Sequence, residues 1–152
     1  MNVDDIQPSR SEPAPRDAAA GPDRLRVLIL EDSAIIRARL LEALAEIPNV
    51  EIAGHGETEA EALALMREPR WDVAVLDLQL RHGTGLGVLK SLAEGSRPPN
   101  TRIIVFTNYA FPQYRARSLL LGADYFFDKA REFHRVREVV HALAARGTRA
   151  PH

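Results

Sequence analysis

The chain has no cysteine, one tryptophan and two methionines. Without cysteine there is no disulfide, no thiol nucleophile and no thiolate metal ligand, a composition that fits a reducing compartment. Charge of one sign is also lacking: 20 basic against 21 acidic residues leave a formal net charge of −1. The cationic footprint of a nucleic-acid binder is therefore missing, and no nucleic-acid partner is expected. No apolar stretch approaches the roughly 18 residues that a membrane span requires, and the N-terminus has no basic-then-apolar leader pattern. A cytoplasmic protein without membrane contact is the expectation.

What is present is one domain's worth of apolar residues, 45% of 152, unevenly distributed. Residues 1–23, opening MNVDDIQPSRSEPAPRDAAAGP, hold four of the ten prolines and few large apolar side chains, so they read as a disordered tail. From residue 24 the character changes. LRVLIL (25–30) is a continuous apolar strand, and Ile36, Leu40, Leu44 and Ile47 recur at helical spacing before Pro48. The pairing repeats four times. VEIAG (50–54) precedes a helix at about 58–68, WDVAVLDL (71–78) one at about 86–94, and RIIVFT (102–107) one opening near Pro112. DYFF (124–127) precedes one near 132–146, with Phe133, Val136, Val140 and Leu143 on its inner face. Five strands alternating with five helices imply a doubly wound α/β fold, a five-stranded parallel sheet covered on both faces. Residues 147–152 read as a flexible C-terminus.

In open sheets of this kind, ligands and chemistry collect beyond the carboxyl ends of the strands. The first strand ends in Glu31 and Asp32, the third in Asp77, the fourth in Thr107, and the fifth runs into Lys129. Two carboxylates about 5 Å apart repel by roughly 3 kcal/mol at an effective dielectric near 20. Lys129 offsets part of that cost. An oxygen-only cluster is also what Mg²⁺ prefers.

These residues give the chain a family resemblance. LILEDS, VLDLQLRHGTGLGVL, VFTN and GADYFFDKA, with intervals of 45 residues from Asp32 to Asp77, 30 to Thr107 and 22 to Lys129, resemble the receiver domains of bacterial two-component response regulators. The resemblance covers about residues 24–146 and implies the (βα)5 flavodoxin-like fold. It implies that Asp77 accepts a phosphoryl group from a histidine kinase or phosphotransfer protein, making an acyl phosphate. It implies Mg²⁺ held by Glu31, Asp32, Asp77 and the carbonyl of Gln79, with Lys129 and the Thr107 hydroxyl on phosphoryl oxygens. It also implies a switch through Thr107 and Phe126 that repacks the face of the fourth helix, fifth strand and fifth helix, a face through which homodimers form in the family.

The sequence departs from the family pattern in several places. Phe126 lacks the hydroxyl of a tyrosine switch. Arg81 stands where a proline is usual, which predicts a looser RHGTG loop, and Ala130 replaces the proline after the lysine. Asn108 is larger than usual and is expected to crowd the pocket. Gln79 and Tyr109 hold positions that tune water access. GTGLG (83–87) follows the third strand, not the first, so it reads as a turn and not a dinucleotide loop. The five histidines have no ligand spacing, and of these only His82 falls near the site. Arg115, Arg117, Arg131, Arg135 and Arg137 flank the output face, as solvated surface or as a partner contact. Only RGTRAPH follows Ala145, so a stand-alone receiver is expected, acting on a downstream protein target by contact or relaying phosphoryl groups. No enzymatic turnover of an external substrate is expected. A phosphoaspartate hydrolase and a degenerate, constitutive interaction module are the alternatives. A magnesium titration followed by tryptophan emission is expected to report on the site.

Overall fold

Alternation within the strands divides one apolar core into two. The computed structural model describes residues 24–146, so the expected N-terminal tail and C-terminal segment lie outside the described residues. Strand β1 is Leu25–Leu30, followed by α1 (Ala34–Ala45), β2 (Val50–Gly56), α2 (Glu59–Met66) and β3 (Val73–Leu76). Then come α3 (Gly85–Glu94), β4 (Arg102–Thr107), α4 (Pro112–Leu120), β5 (Tyr125–Asp128) and α5 (Phe133–Arg146). The strands form one parallel sheet in the order β2-β1-β3-β4-β5. Leu28, Leu30, Ala74, Leu76, Ile103, Val105 and Phe126 pack on one face with Met66, Val88, Leu89 and Leu92. Val27, Ile29, Val73, Val75, Ile104, Phe106 and Phe127 pack on the other with Leu40, Leu44, Val136 and Val140. A strand buried on both faces has to be apolar at every position, which is why these segments read as unbroken runs.

Strand order follows from right-handed crossovers, and it reverses direction at β1, where β2 lies on one side and β3 on the other. The crevice at that switch point lies between the ends of β1 and β3. Register then decides which residues meet there. Leu30 pairs with Leu76, so the next residues, Glu31 and Asp77, emerge side by side, and the Asp77 N–H donates to the Leu30 carbonyl at 3.0 Å. Thr107 pairs with Asp128, so Lys129 leaves β5 beside the end of β4, its N–H bonded to the Thr107 carbonyl at 3.0 Å.

The helices start where the chain supplies caps. Ser33, Thr58 and Thr84 each accept a bond from the N–H three residues on, and Pro112 occupies the first turn of α4. Helix α1 ends at Ala45, short of the expected Ile47, because a turn carries Ile47 N–H back to the Leu44 carbonyl at 3.1 Å while Ile47 stays buried. The third strand is also shorter than the predicted 71–78. It ends at Leu76, and Gln79 bridges to Thr84 to close the following turn, so Asp77 sits just past the strand.

That turn needs a glycine. The Gly85 N–H bonds the Leu78 carbonyl at 2.8 Å, and a Cβ on Gly85 would drive into the Asp77 carbonyl and stand 2.8 Å from the Leu78 Cα. Both obstacles are backbone and cannot swing aside. Gly85→Ala is expected to cost about 1–3 kcal/mol, the scale of an overpacked core site, measured as a fall in the urea midpoint at unchanged slope.

Candidate functional site

Glu31, Asp32, Asp77, Thr107 and Lys129 come from four strand ends and meet at one edge of the sheet. The Lys129 ammonium lies between two carboxylates, 2.8 Å from Glu31 Oε1 and 2.7 Å from Asp77 Oδ2. All three side chains are nearly sealed from water, at 7%, 3% and 6% exposure for Lys129, Glu31 and Asp77. Ion pairs at this depth are held against a desolvation cost of several kcal/mol per charge, so the pairing stabilises only because its geometry is close and its remaining oxygens are bonded. Glu31 Oε2 accepts the Ser33 N–H at 3.0 Å, which ties the carboxylate to the cap of α1. Asp77 Oδ1 accepts a longer bond from the Gln79 N–H at 3.3 Å.

The electrostatics follow from that burial. Desolvation raises the Glu31 carboxyl above its ordinary range, the neighbouring Asp77 charge adds to the rise, and the hydrogen bond from Lys129 opposes it. Burial would push the Lys129 ammonium down, but the hydrogen bonds and charges of Asp77 and Glu31 outweigh it, and the net shift is upward. Lys129 is therefore held as a positive charge, while Glu31 takes up a proton more readily than a solvated glutamate.

One oxygen from each of Glu31, Asp32 and Asp77 lies within 4.8 Å of the others. This all-oxygen set fits a hard divalent cation such as Mg²⁺. Thr107 is fully buried, and its hydroxyl oxygen accepts the Tyr109 N–H at 3.1 Å, leaving its proton for an acceptor in the crevice. Phe126 is already inside, packed with the cluster beneath α2–α4. Gln79, His82, Asn108 and Tyr109 are exposed at the rim.

The family model for the response regulator receiver domain matches residues 27–141, from within β1 to within α5, and includes the acidic edge. The chain belongs to that family. Among curated relatives, the receiver is 31% identical over 115 residues to protein-glutamate methylesterase/protein-glutamine glutaminase 1 of Methanospirillum hungatei. That match covers 76% of this chain and 34% of the relative, so the chain spans about a third of that protein's length. Among solved structures, the receiver domain of NarL from Mycobacterium tuberculosis superposes at TM-score 0.71 with 24% identity, covering 82% of this chain and 98% of that one. A response regulator from Burkholderia pseudomallei, solved with a phosphorylated aspartate, a calcium ion and citrate, gives TM-score 0.66 at 21% identity over 80% of this chain and 69% of that one. At these identities the two structures speak for the fold. Among the described residues of the receiver, no helix is long and apolar enough to cross a membrane.

Two expectations are corrected by the structure. The loop after Asp77 is not loose in the absence of a proline. The Arg81 N–H bonds the Glu57 carbonyl at 2.9 Å and the Glu59 N–H bonds the His82 carbonyl at 2.9 Å. Glu59 Oε1 takes the Thr84 N–H at 2.9 Å. Tryptophan is also no reporter of this receiver's site. Trp71 is buried at the opposite end of β3, its indole N–H on the Met66 carbonyl at 2.9 Å, six residues or about 20 Å of extended chain from Asp77. Two of the five flanking arginines make ion pairs on their own exposed surface, in keeping with the solvated-surface reading. Arg135 lies 3.2 Å from Glu138 and over the Phe127 ring, and Arg137 reaches Glu46 at 3.7 Å.

Sequence reading missed Glu57 and Arg37. Glu57 follows the last residue of β2 and contacts both Arg81 Nη1 and, at 3.3 Å, Arg37 Nη1. The same Arg37 nitrogen bonds the Glu31 carbonyl at 3.0 Å. Polar residues that meet across such sequence distances have no periodicity to betray them.

Because the folded-state Glu31 carboxyl lies above its ordinary value, its contribution to stability is full below about pH 4.5 and is lost as pH rises through the elevated value. Thermal melts in a chelator should therefore show Glu31→Gln gaining on wild type as pH rises from 4.5 to 7. A difference that shrinks over that range would contradict the assignment.

Proposed function

We propose that this receiver is phosphorylated on Asp77 in a Mg²⁺-dependent reaction, the donor being the phosphohistidine of a kinase or phosphotransfer protein. The observation that carries the reading is the buried carboxylate of Asp77, held on one oxygen by Lys129 and flanked by Glu31 and Asp32 at the switch point of the sheet. Glu31, Asp32, Asp77 and the Gln79 carbonyl would hold the cation, which supplies neutralising charge to the transferring phosphoryl group.

The chain's own groups account for the rest. Lys129 fixes Asp77 Oδ2, while Oδ1 has only the long bond from Gln79. A carboxylate oxygen forms the new O–P bond as the P–N bond to the donor imidazole breaks, and the imidazole leaves with the electron pair and takes up a proton. Transfer of this kind asks for positioning and charge neutralisation more than for covalent help. The Lys129 ammonium and the Thr107 hydroxyl would donate to oxygens of the transferred group. The Burkholderia regulator, solved with a phosphorylated aspartate and a calcium ion, is a precedent within the fold.

The response would leave through Thr107. Its hydroxyl now serves Tyr109 N–H as an acceptor, and the β4 end it occupies is bonded to Lys129, so a new phosphoryl contact would bias the β4–α4 segment and the packing around Phe126. Phe126 has no hydroxyl, so ring packing is the whole of its share in the switch. We assign the output to contact with a protein target, or to onward transfer of the phosphoryl group.

A small-molecule phosphodonor with Mg²⁺, read by intact mass, tests the reading. Wild type should gain one phosphoryl group and Asp77→Asn none; equal labelling of both would overturn it. Turnover of a phosphoester well beyond one equivalent would instead point to a hydrolase.

A further inference from the structure

The rim of the site carries a charge arrangement that the transfer chemistry does not use. Glu57 is shared by two guanidiniums, Arg37 from α1 and Arg81 from the loop after Asp77, with side chains at 17% and 48% exposure. Beneath them, three carboxylates against one ammonium leave the crevice with two uncompensated negative charges. Until a divalent cation is bound, that crevice repels the anionic donor it must admit. Two arginines share the one carboxylate of Glu57, so each guanidinium is only partly neutralised by it, while the neighbouring Glu59 and Glu61 carboxylates accept the Thr84 and Glu57 backbone N–H groups. Each arginine meets Glu57 through Nη1, so both planar forks retain N–H groups suited to a phosphate.

We propose that Arg37 and Arg81 form a cationic rim that receives the anionic phosphodonor, and that Glu57 sets its strength by competing for both guanidiniums. The inference rests on the reading of Asp77 as phosphoacceptor. The rival explanation is structural: Glu57 merely straps the loop, as its backbone bond to Arg81 also does. The two explanations differ in sign. If the strap is all that matters, Arg81→Ala, Arg37→Ala and Glu57→Gln each loosen the same loop and act alike. If the rim receives the donor, losing an arginine weakens capture, while Glu57→Gln frees both arginines and strengthens it.

The experiment measures the rate of Asp77 phosphorylation by acetyl phosphate and by phosphoramidate, against donor concentration, at low and high salt. Arg81→Ala and Arg37→Ala should raise the half-saturating donor concentration about two- to fivefold, the size of one exposed charge interaction, with the maximal rate little changed. Glu57→Gln should lower it, Arg81→Lys should restore most of the wild-type value, and high salt should compress all the differences. Beryllofluoride, titrated with Mg²⁺ and followed by fluorine NMR, should give the same order without any phosphotransfer. Shifts of one common sign in all three variants, or none, would remove the rim and leave Asp77 as the acceptor. A wild-type protein that takes no phosphoryl group on Asp77 would remove both.

Discussion

One buried ammonium holds the functional edge of this protein together. Lys129 reaches from the end of β5 to the tips of β1 and β3, bonding Glu31 and Asp77 at once. Without it, carboxylates delivered side by side by the parallel register would face each other in a site that excludes water. The repulsion between two of them, a few kcal/mol at the dielectric of a partly buried site, is a large share of a small domain's stability. The pairing also fixes where the edge is vulnerable. Anything that draws Lys129 toward a new anion, or gives the carboxylates another cation, redistributes the same charges and is felt at both ends of the sheet.

The scaffold around that pair is organised to keep the backbone at the tips in place. Ser33 caps α1 and donates its own N–H to Glu31, while Gly85 lets α3 start directly against the Asp77 carbonyl. The β3–α3 loop is laced to the start of α2 by Glu57 and Glu59. Gly83 adopts a positive φ of 96° there, and a Cβ at that position would collide with Glu59. These contacts do for the loop what a proline ring does in relatives: they remove conformational freedom, here by hydrogen bonds to neighbouring chain in place of a covalent constraint.

Much of this was legible in the sequence because the tips are where apolar runs stop. Glu31, Asp77, Thr107 and Lys129 each end or follow a segment made mostly of apolar side chains, so their chemistry stands out, and alternation with helices puts them on one edge. What was illegible depends on pairing across the chain. The missing proline at Arg81 suggested a loose loop, because the sequence does not reveal that Glu57 and Glu59 fold back onto it. The shorter third strand reflects the Gln79–Thr84 bridge, and Trp71 stands at the far end of that strand from Asp77, bonded to the Met66 carbonyl.

The central claim is that Lys129 and a divalent cation answer the same excess of negative charge. Calorimetric titration of Mg²⁺ into wild type and Lys129→Met tests it most directly. Removing the ammonium leaves Glu31, Asp32 and Asp77 with no resident counter-charge, so the variant should bind Mg²⁺ severalfold more tightly while its metal-free fold melts earlier. Equal or weaker binding by Lys129→Met would show that the carboxylates are not held in balance by that lysine, and the account would fail.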